Sequence, residues 1–177
     1  MHKINKIDIA VQELEDALDA YFAQRYHSAI VLAGAAEELL SAYVKTLGLE
    51  PSWSQMRRTI TKLANTLHIR ETGQPGRTTE GNVGDLLNHA YNNHKHAGKN
   101  DHSVHMNPRF EAQELIDRCI SNYDVLFSRL SLLPFELREI NQIQSFVRES
   151  LGRDSLESEA LELIAPVANA SDGNPLA

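Results

Sequence analysis

Three histidines and several amides lie close together between residues 83 and 97, where the spacing of apolar residues predicts a helix. At about 100° per residue, one face of this helix is entirely polar: Asp85, His89, Asn92, Asn93 and His96. The opposite side is mainly apolar: Val83, Leu87, Ala90, Tyr91 and His94. Because an imidazole titrates near neutral pH, His96 is the candidate catalytic group. It could act as an acid, as a base or as a hydrogen-bond donor to a phosphate. The pattern leaves open a solvated face with no chemistry.

A metal site is a second interpretation of the same segment, since His89, Asn93 and His96 could approach one ion. However, His94 and His96 point in opposing directions on a helix, and the chain offers no Glu-x-x-His partner and no cysteine pair. We therefore expect neither a metal nor a cofactor. Phosphate-binding loops and nucleophile elbows are also absent. Cys119 lies on an apolar helix stripe, so we expect it in the core rather than as a nucleophile.

Apolar residues recur at steps of three and four along most of the chain, which predicts an all-α, up-and-down bundle of about five to six helices. The predicted helices span 4–21, 27–47, 51–67, 83–97, 107–130 and 134–151. Glycines and prolines in residues 70–84 predict a long mobile loop. We expect one domain over 1–152, followed by an acidic and then small-polar C-terminal tail over 153–177 that is frayed.

The stripes also predict which faces are buried. The first helix is expected to bury Ile4, Ile7, Val11, Leu14, Leu18 and Tyr21, the fifth Ile116, Ile120, Tyr123, Phe127 and Leu130, and the sixth Leu137, Ile140, Val147 and Leu151. Asn107-Pro108 predicts a cap followed by a proline at the first position of the fifth helix. The second helix is expected to bury Leu32, Ala36, Leu39, Tyr43 and Leu47, and the third helix Trp53, Met56, Ile60, Leu63 and Leu67. Trp53 with Arg57 and Arg58 suits either a clamp on a nucleic-acid base or a core tryptophan with a basic outer face. Glu37 and Glu38 are expected on the helix surface, or facing a cleft where one of them orients a histidine.

The charge distribution limits the classes of partner. The chain has 177 residues with 24 acidic and 17 basic side chains, a net charge of −7. Residues 51–110 reverse this balance, with eight bases and four acids. An acidic protein is not expected to coat DNA, but this basic island suits a phosphate or a short RNA as well as an ordinary surface. A single cysteine, no apolar run near 18 residues and an acidic N-terminal segment predict a cytoplasmic protein without a membrane span.

The segment Tyr91-Asn92-Asn93-His94-Lys95-His96 resembles the motif of the HEPN superfamily, in which an arginine, a polar residue, three further residues and a histidine follow one another. Asn92 matches the polar position and His96 the histidine, and Tyr91 stands in place of the arginine. The alanine-rich stretch 29–40 is similar to an early helix of these domains. The resemblance covers roughly residues 5–130 and implies a small helical domain of prokaryotic toxins, defence proteins and nucleotide-binding partners.

The resemblance implies a nucleotide- or RNA-binding module in a stress or defence system. Asn92, Asn93, Lys95, His89 and Arg109 are then the candidate binding residues. It also implies a homodimer that places two motifs across one cleft. One alternative is a metal-independent endoribonuclease in which His96 is the acid–base and a neighbouring cation replaces the missing arginine. Another is a non-catalytic helical dimer or protein-interaction module. The sequence names no substrate and no partner protein.

Overall fold

The computed structural model describes residues 4–89, 91–92, 106–133, 136–150 and 152. Within them the chain forms helices and no strand, which confirms the all-α prediction. The helices are α1 (Lys6–Phe22), α2 (Tyr26–Thr46), α3 (Ser52–Thr72), α4 (Glu80–Leu87) and α5 (Pro108–Phe127). A short 3₁₀ turn, Leu130–Leu132, follows α5.

The core lies between α1, α2 and α5. The predicted stripe of α1 is confirmed at five of its positions, since all of these are buried: Ile7, Val11, Leu14, Leu18 and Tyr21. Ile4 precedes the helix and is exposed. α5 buries the predicted Ile116, Ile120 and Tyr123. Its end differs from the prediction, because the helix stops at Phe127 and leaves Leu130 outside.

The buried face of α2 differs from the prediction. The face toward the core carries Ala29, Ile30, Ala33, Gly34, Ala36, Leu40, Ser41 and Val44. Of the predicted stripe only Ala36 belongs to it, and Leu32, Leu39, Tyr43 and Leu47 are half-buried beside it. The small residues explain the rotation, because they let α5 approach so closely that the Cys119 thiol lies 3.0 Å from the carbonyl oxygen of Ala33. The stripe of large side chains therefore predicted the wrong face of α2 for this contact.

The predicted loop over 70–84 is shorter and more constrained than expected. α3 continues to Thr72 and ends at Gly73, whose φ of 69° is the left-handed conformation that favours glycine. α4 begins at Glu80, so the connection is only 73–79. The Asn65 side chain holds this connection, because it donates to the Thr78 carbonyl at 2.9 Å and accepts from the Thr78 amide at 3.0 Å.

α3 itself lies against the bundle without burying any residue. The prediction that its stripe packs in the core is therefore wrong for Leu63 and Leu67, which are exposed. Trp53, Met56 and Ile60 are half-buried. Its first turn is fixed, because Ser52 donates its amide to Asn122 Oδ1 at 2.9 Å and its hydroxyl to the Arg118 carbonyl at 3.0 Å.

The predicted fourth helix begins three residues early and is interrupted. Thr79 caps α4 by accepting a hydrogen bond from the Asn82 amide, and α4 ends at Leu87. A turn at Asn88 separates it from further helical backbone at residues 89, 91 and 92. The cap predicted before α5 is confirmed, since Asn107 Oδ1 accepts from the Phe110 amide at 3.3 Å and Pro108 opens the helix.

Two compact units divide the chain, residues 1–140 and 141–177. Within the first, residues 136–140 are not helical, so the helix predicted from Pro134 starts later, over 142–150. Leu137 and Ile140 are buried nonetheless. The extent of the domain and the nature of the tail over 153–177 stay predictions. In the described residues, no helix combines the length and apolar character needed to cross a bilayer.

Candidate functional site

The described part of the predicted polar face is exposed, as the helical wheel requires. Asp85, His89 and Asn92 are exposed, while Val83 and Tyr91 on the opposite side are buried. Arg109 is exposed in the first turn of α5. The remaining candidates, Asn93, Lys95 and His96, lie outside the described residues. Of the proposed catalytic and binding set, the structure therefore locates His89, Asn92 and Arg109.

Tyr91, which stands where the resemblance expects an arginine, packs into the bundle. Its ring lies on Gly34 of α2, where a Cβ atom would come within 2.6 Å of Cζ. Its hydroxyl donates to Glu38 Oε1 at 3.2 Å. A phenol held in this way ties the fourth helical segment to α2 and supplies no positive charge. Leu87, on the same apolar side as Tyr91, is half-buried.

A pocket of about 230 Å³ opens beside the polar face, between α3, α4 and the start of α5. We call it the α4–α5 pocket. Its lining residues are Met56, Leu86, Leu87, Phe110, Glu111, Glu114 and Arg118. Leu86 and Phe110 stand at its mouth with 74 % and 56 % of their surface exposed. The pocket therefore combines apolar walls, two carboxyl groups and one guanidinium.

Arg118 is the most unusual residue of the pocket, because it is buried and charged. Its guanidinium carbon lies 4.7 Å from the centre of the Trp53 ring, and Nη1 donates to Asn88 Oδ1 at 3.3 Å. Nε has no acceptor in the described part of the chain. Burial lowers the pKa of Arg118, and the negative charge of Glu37 opposes this. The group stays protonated, since a guanidinium is too basic to lose its proton in a protein.

The carboxyl groups of the pocket lie along one face of α5. Burial raises the pKa of Glu111, while the nearby positive charges of Arg118 and His89 lower it. His89 is thus close enough to Glu111 for their charges to interact. An ionised carboxyl group only accepts hydrogen bonds and a guanidinium only donates them. The pocket therefore presents acceptors at Glu111 and Glu114 next to a donor at Arg118.

Glu37, whose charge acts on Arg118, belongs to a polar cluster that the sequence did not predict. Glu37 Oε1 accepts from the Ser41 hydroxyl at 2.6 Å, and Asn122 Nδ2 lies 3.1 Å from Ser41 Oγ and 3.4 Å from Glu37 Oε1. Glu37 is half-buried here rather than on the surface, where we expected it. The only sequence signal was Ser41 at i+4 from Glu37. Asn122 and Arg118 could not be connected to them without the packing of α2 on α5.

Within the basic island, residues 51–110, two arginines form ion pairs and a separate cleft lies beyond Gly73. Arg57 pairs with Glu80 at 3.0 Å and Arg58 with Glu50 at 2.7 Å, so neither is part of a clamp with Trp53. The Trp53 ring is already stacked by Arg118. Beyond Gly73, an open cleft of about 540 Å³ is lined by His68, Gln74, Pro75, Gly76 and Arg77. Gly76 lies against Asn65, so the hydrogen bonds of Asn65 shape this cleft.

The two remaining sequence interpretations concern metal and thiol chemistry. Among the residues that the structure describes, no three His, Cys, Asp or Glu side chains come together in a way that would hold a metal ion. Cys119 is fully buried, and burial raises the pKa of its thiol well above the usual range. Since the thiolate is the reactive form, Cys119 is a core residue, as predicted.

Comparison of the chain with protein-family models, curated proteins and solved structures finds no match. The function must therefore be argued from the pocket and its surroundings.

Proposed function

We propose that this chain is a HEPN-like module that binds a nucleotide or single-stranded RNA, with one base in the α4–α5 pocket. The observation that carries the proposal is that Glu111, Glu114 and Arg118 line the same small pocket, which has Phe110 at its mouth. Its volume of about 230 Å³ is below the roughly 300–1,000 Å³ of pockets for drug-sized ligands. It suits a single planar ring system better than a whole nucleotide.

The chemistry of the lining fits the edge of a base. Ring N–H and amino groups of a base donate hydrogen bonds, which Glu111 and Glu114 can accept. Arg118 can donate to a carbonyl oxygen of the base after a modest movement of its side chain. Phe110 is exposed and can stack on the ring, a contact that tolerates any base because every base has a π-face.

The surroundings supply partners for the phosphate. Arg109 precedes Phe110 in the first turn of α5, and His89 stands on the polar face, near enough to Glu111 for their charges to interact. A guanidinium recognises phosphate oxygens bidentately. Asn92 is exposed on the same polar face as His89, and the resemblance adds Asn93, Lys95 and His96 to this set. The assignment is to binding, because Tyr91 supplies no cation where the family has its arginine.

The experiment measures binding of fluorescently labelled 8-nucleotide RNAs of mixed sequence to the full chain by anisotropy. We expect Phe110→Ala to weaken binding by roughly 5- to 150-fold, the equivalent of about 1–3 kcal/mol for one stacked base. Glu111→Gln, which keeps the shape and removes the charge, changes which bases are preferred. Phe22→Ala is the matched control, since Phe22 is an exposed phenylalanine on α1. Equal affinities of the Phe110→Ala and Phe22→Ala chains would refute the proposal.

The ribonuclease alternative is separated in the same samples. Cleavage of the RNA that persists in EDTA and disappears in His96→Ala would establish an acid–base role for His96. Binding without cleavage, together with a rise in melting temperature on adding RNA, is the result that we expect.

A further inference from the structure

Three charged side chains of the α4–α5 pocket follow one another along a single face of α5. Glu111, Glu114 and Arg118 all line the pocket. At about 100° per residue, their spacing of three and four residues places them within about 60° of one another around the helix. Ionised carboxyl groups only accept hydrogen bonds, and a guanidinium only donates them. Along the pocket, the order of the three groups is therefore acceptor, acceptor, donor.

Hydrogen-bonding capacity is left unused at all three positions. Glu111 and Glu114 are half-buried, and neither forms a hydrogen bond or an ion pair with another residue in the described part of the chain. Arg118 is only 3 % exposed, and its Nε has no acceptor among the described residues. A buried polar group without a partner is costly. The lining therefore suits a ligand that supplies two donors and one acceptor in the matching order.

Guanine is the base whose edge has this order of groups. Its Watson–Crick edge presents, side by side, the amino group at N2, the N1–H and the carbonyl oxygen O6, which are two donors followed by one acceptor. Glu111 and Glu114 can accept from the two donors, and Arg118 can donate to O6. Glutamate and arginine side chains are long enough to converge on one edge from successive turns of a helix.

The other bases of RNA match this lining less well. Adenine and cytosine each present one amino donor beside an unprotonated ring nitrogen, which would face the second carboxylate. Uracil has a single N–H between two carbonyl oxygens, one of which would also face a carboxylate. Two acceptors without a proton between them leave both groups unsatisfied, and a site built from hydrogen-bonding groups rejects ligands that leave those groups unpaired.

We propose that the α4–α5 pocket is specific for guanine. Glu111 accepts from the N2 amino group, Glu114 accepts from N1–H, and Arg118 donates to O6. The inference rests on the proposed binding of a base in this pocket and names that base. Stacking on Phe110 contributes affinity for any base, whereas the three charged groups determine which base enters.

The first test varies the base and leaves the protein unchanged. Anisotropy of the full chain is measured with labelled uridine octamers that carry guanosine, adenosine, cytidine or a further uridine at one central position. We expect the guanosine octamer to bind about 5- to 150-fold more tightly than the other three, the discrimination of one bidentate contact. Inosine, which lacks only the N2 amino group, should lose part of this preference. Blocking N1 with a methyl group, in 1-methylguanosine, should remove it.

The second test assigns the preference to the pocket. Glu111→Gln and Glu114→Gln each keep the shape of the side chain but replace one acceptor oxygen by a donor, so each should largely remove the preference for guanosine. Asp124→Asn is the matched control, because it removes one negative charge from an exposed position of α5 outside the pocket lining. This variant should keep the preference. Circular dichroism checks that all three variants are folded.

The outcomes distinguish guanine specificity from base binding in general. Equal binding of all octamers, weakened by Phe110→Ala, would overturn the specificity and leave the proposed function standing. A preference for another base, full binding of 1-methylguanosine, or a guanosine preference that survives both glutamine substitutions would also overturn the specificity. Binding of no octamer would overturn both proposals.

Discussion

The close contact between Gly34 and the Tyr91 ring predicts the effect of Gly34→Ala on the free energy of unfolding. Removing the ring should reverse the sign of that effect. Alanine is about 1 kcal/mol better than glycine inside a helix, so Gly34→Ala would ordinarily stabilise α2. Here the new methyl group would meet the Tyr91 ring, with Cζ only 2.6 Å away. Overpacking of this kind costs about 1–3 kcal/mol, and moving the ring also loses about 1 kcal/mol for the hydrogen bond to Glu38. We expect Gly34→Ala to lower the free energy of unfolding by about 1–3 kcal/mol, the difference between these costs and the gain in helix preference.

Without the Tyr91 ring, Gly34→Ala should increase the stability of the protein instead of lowering it. Tyr91→Ala alone should cost about 3–5 kcal/mol, as for other buried aromatic side chains. In that background the methyl group of Gly34→Ala has room, so only the helix preference remains and stability should rise by about 1 kcal/mol. The coupling free energy between the two positions is then about 2–4 kcal/mol.

Urea unfolding followed by circular dichroism measures all four chains of this cycle. Gly84→Ala is the control, since a methyl group there meets Arg57 Cδ at 3.4 Å and Trp53 at 3.6 Å, which are ordinary contacts. It should stabilise by about 0.5–1 kcal/mol whether or not Tyr91 is present. The reasoning fails if Gly34→Ala has the same effect with and without the tyrosine.

Three further predictions concern buried groups. Asn122→Ala removes the acceptor of the Ser52 amide and should cost about 2–3 kcal/mol in a urea titration, whereas a loss under 0.5 kcal/mol would mean that water replaces it. Burial and nearby acids raise the pKa of Glu13 above its ordinary value near 4.5, so its ionised form destabilises the fold at neutral pH. Glu13→Gln should therefore raise the melting temperature at pH 7, an advantage that fades below about pH 4.5 and that a pH-independent difference would contradict. Cys119 should react with a thiol reagent only as fast as the chain opens, so immediate labelling of the native protein would contradict its burial.

The sequence was sufficient for those features that depend on local pattern. The stripe of α1, the Asn107 cap and the division of the fourth helix into polar and apolar sides all follow from periodicity and side-chain chemistry. Tyr91 was correctly placed on the apolar side for the same reason. These features need only the geometry of one helix.

Long-range contacts account for what the sequence missed. The buried face of α2 is chosen by how closely α5 can approach Ala33 and Gly34, which no stripe of large residues indicates. The sequence alone would place Arg118 at the surface, because nothing in α5 indicates that Trp53 and Asn88 contact its side chain. The shorter connection at 73–79 depends on Asn65, a residue in the preceding helix.

The first turn of α3 also determines how the rest of that helix can move. Ser52 is held by Asn122 and by the Arg118 carbonyl, and no later residue of the helix is buried. Mechanically, α3 is a cantilever about 31 Å long at 1.5 Å per residue. A rotation of about 10° at its base displaces the far end by about 5 Å. The Arg57–Glu80 ion pair ties α4 to this helix, and the hydrogen bond of Asn65 to Thr78 ties the connection 73–79 to it. Amide exchange should therefore be slowest at the base of α3 and rise toward Thr72.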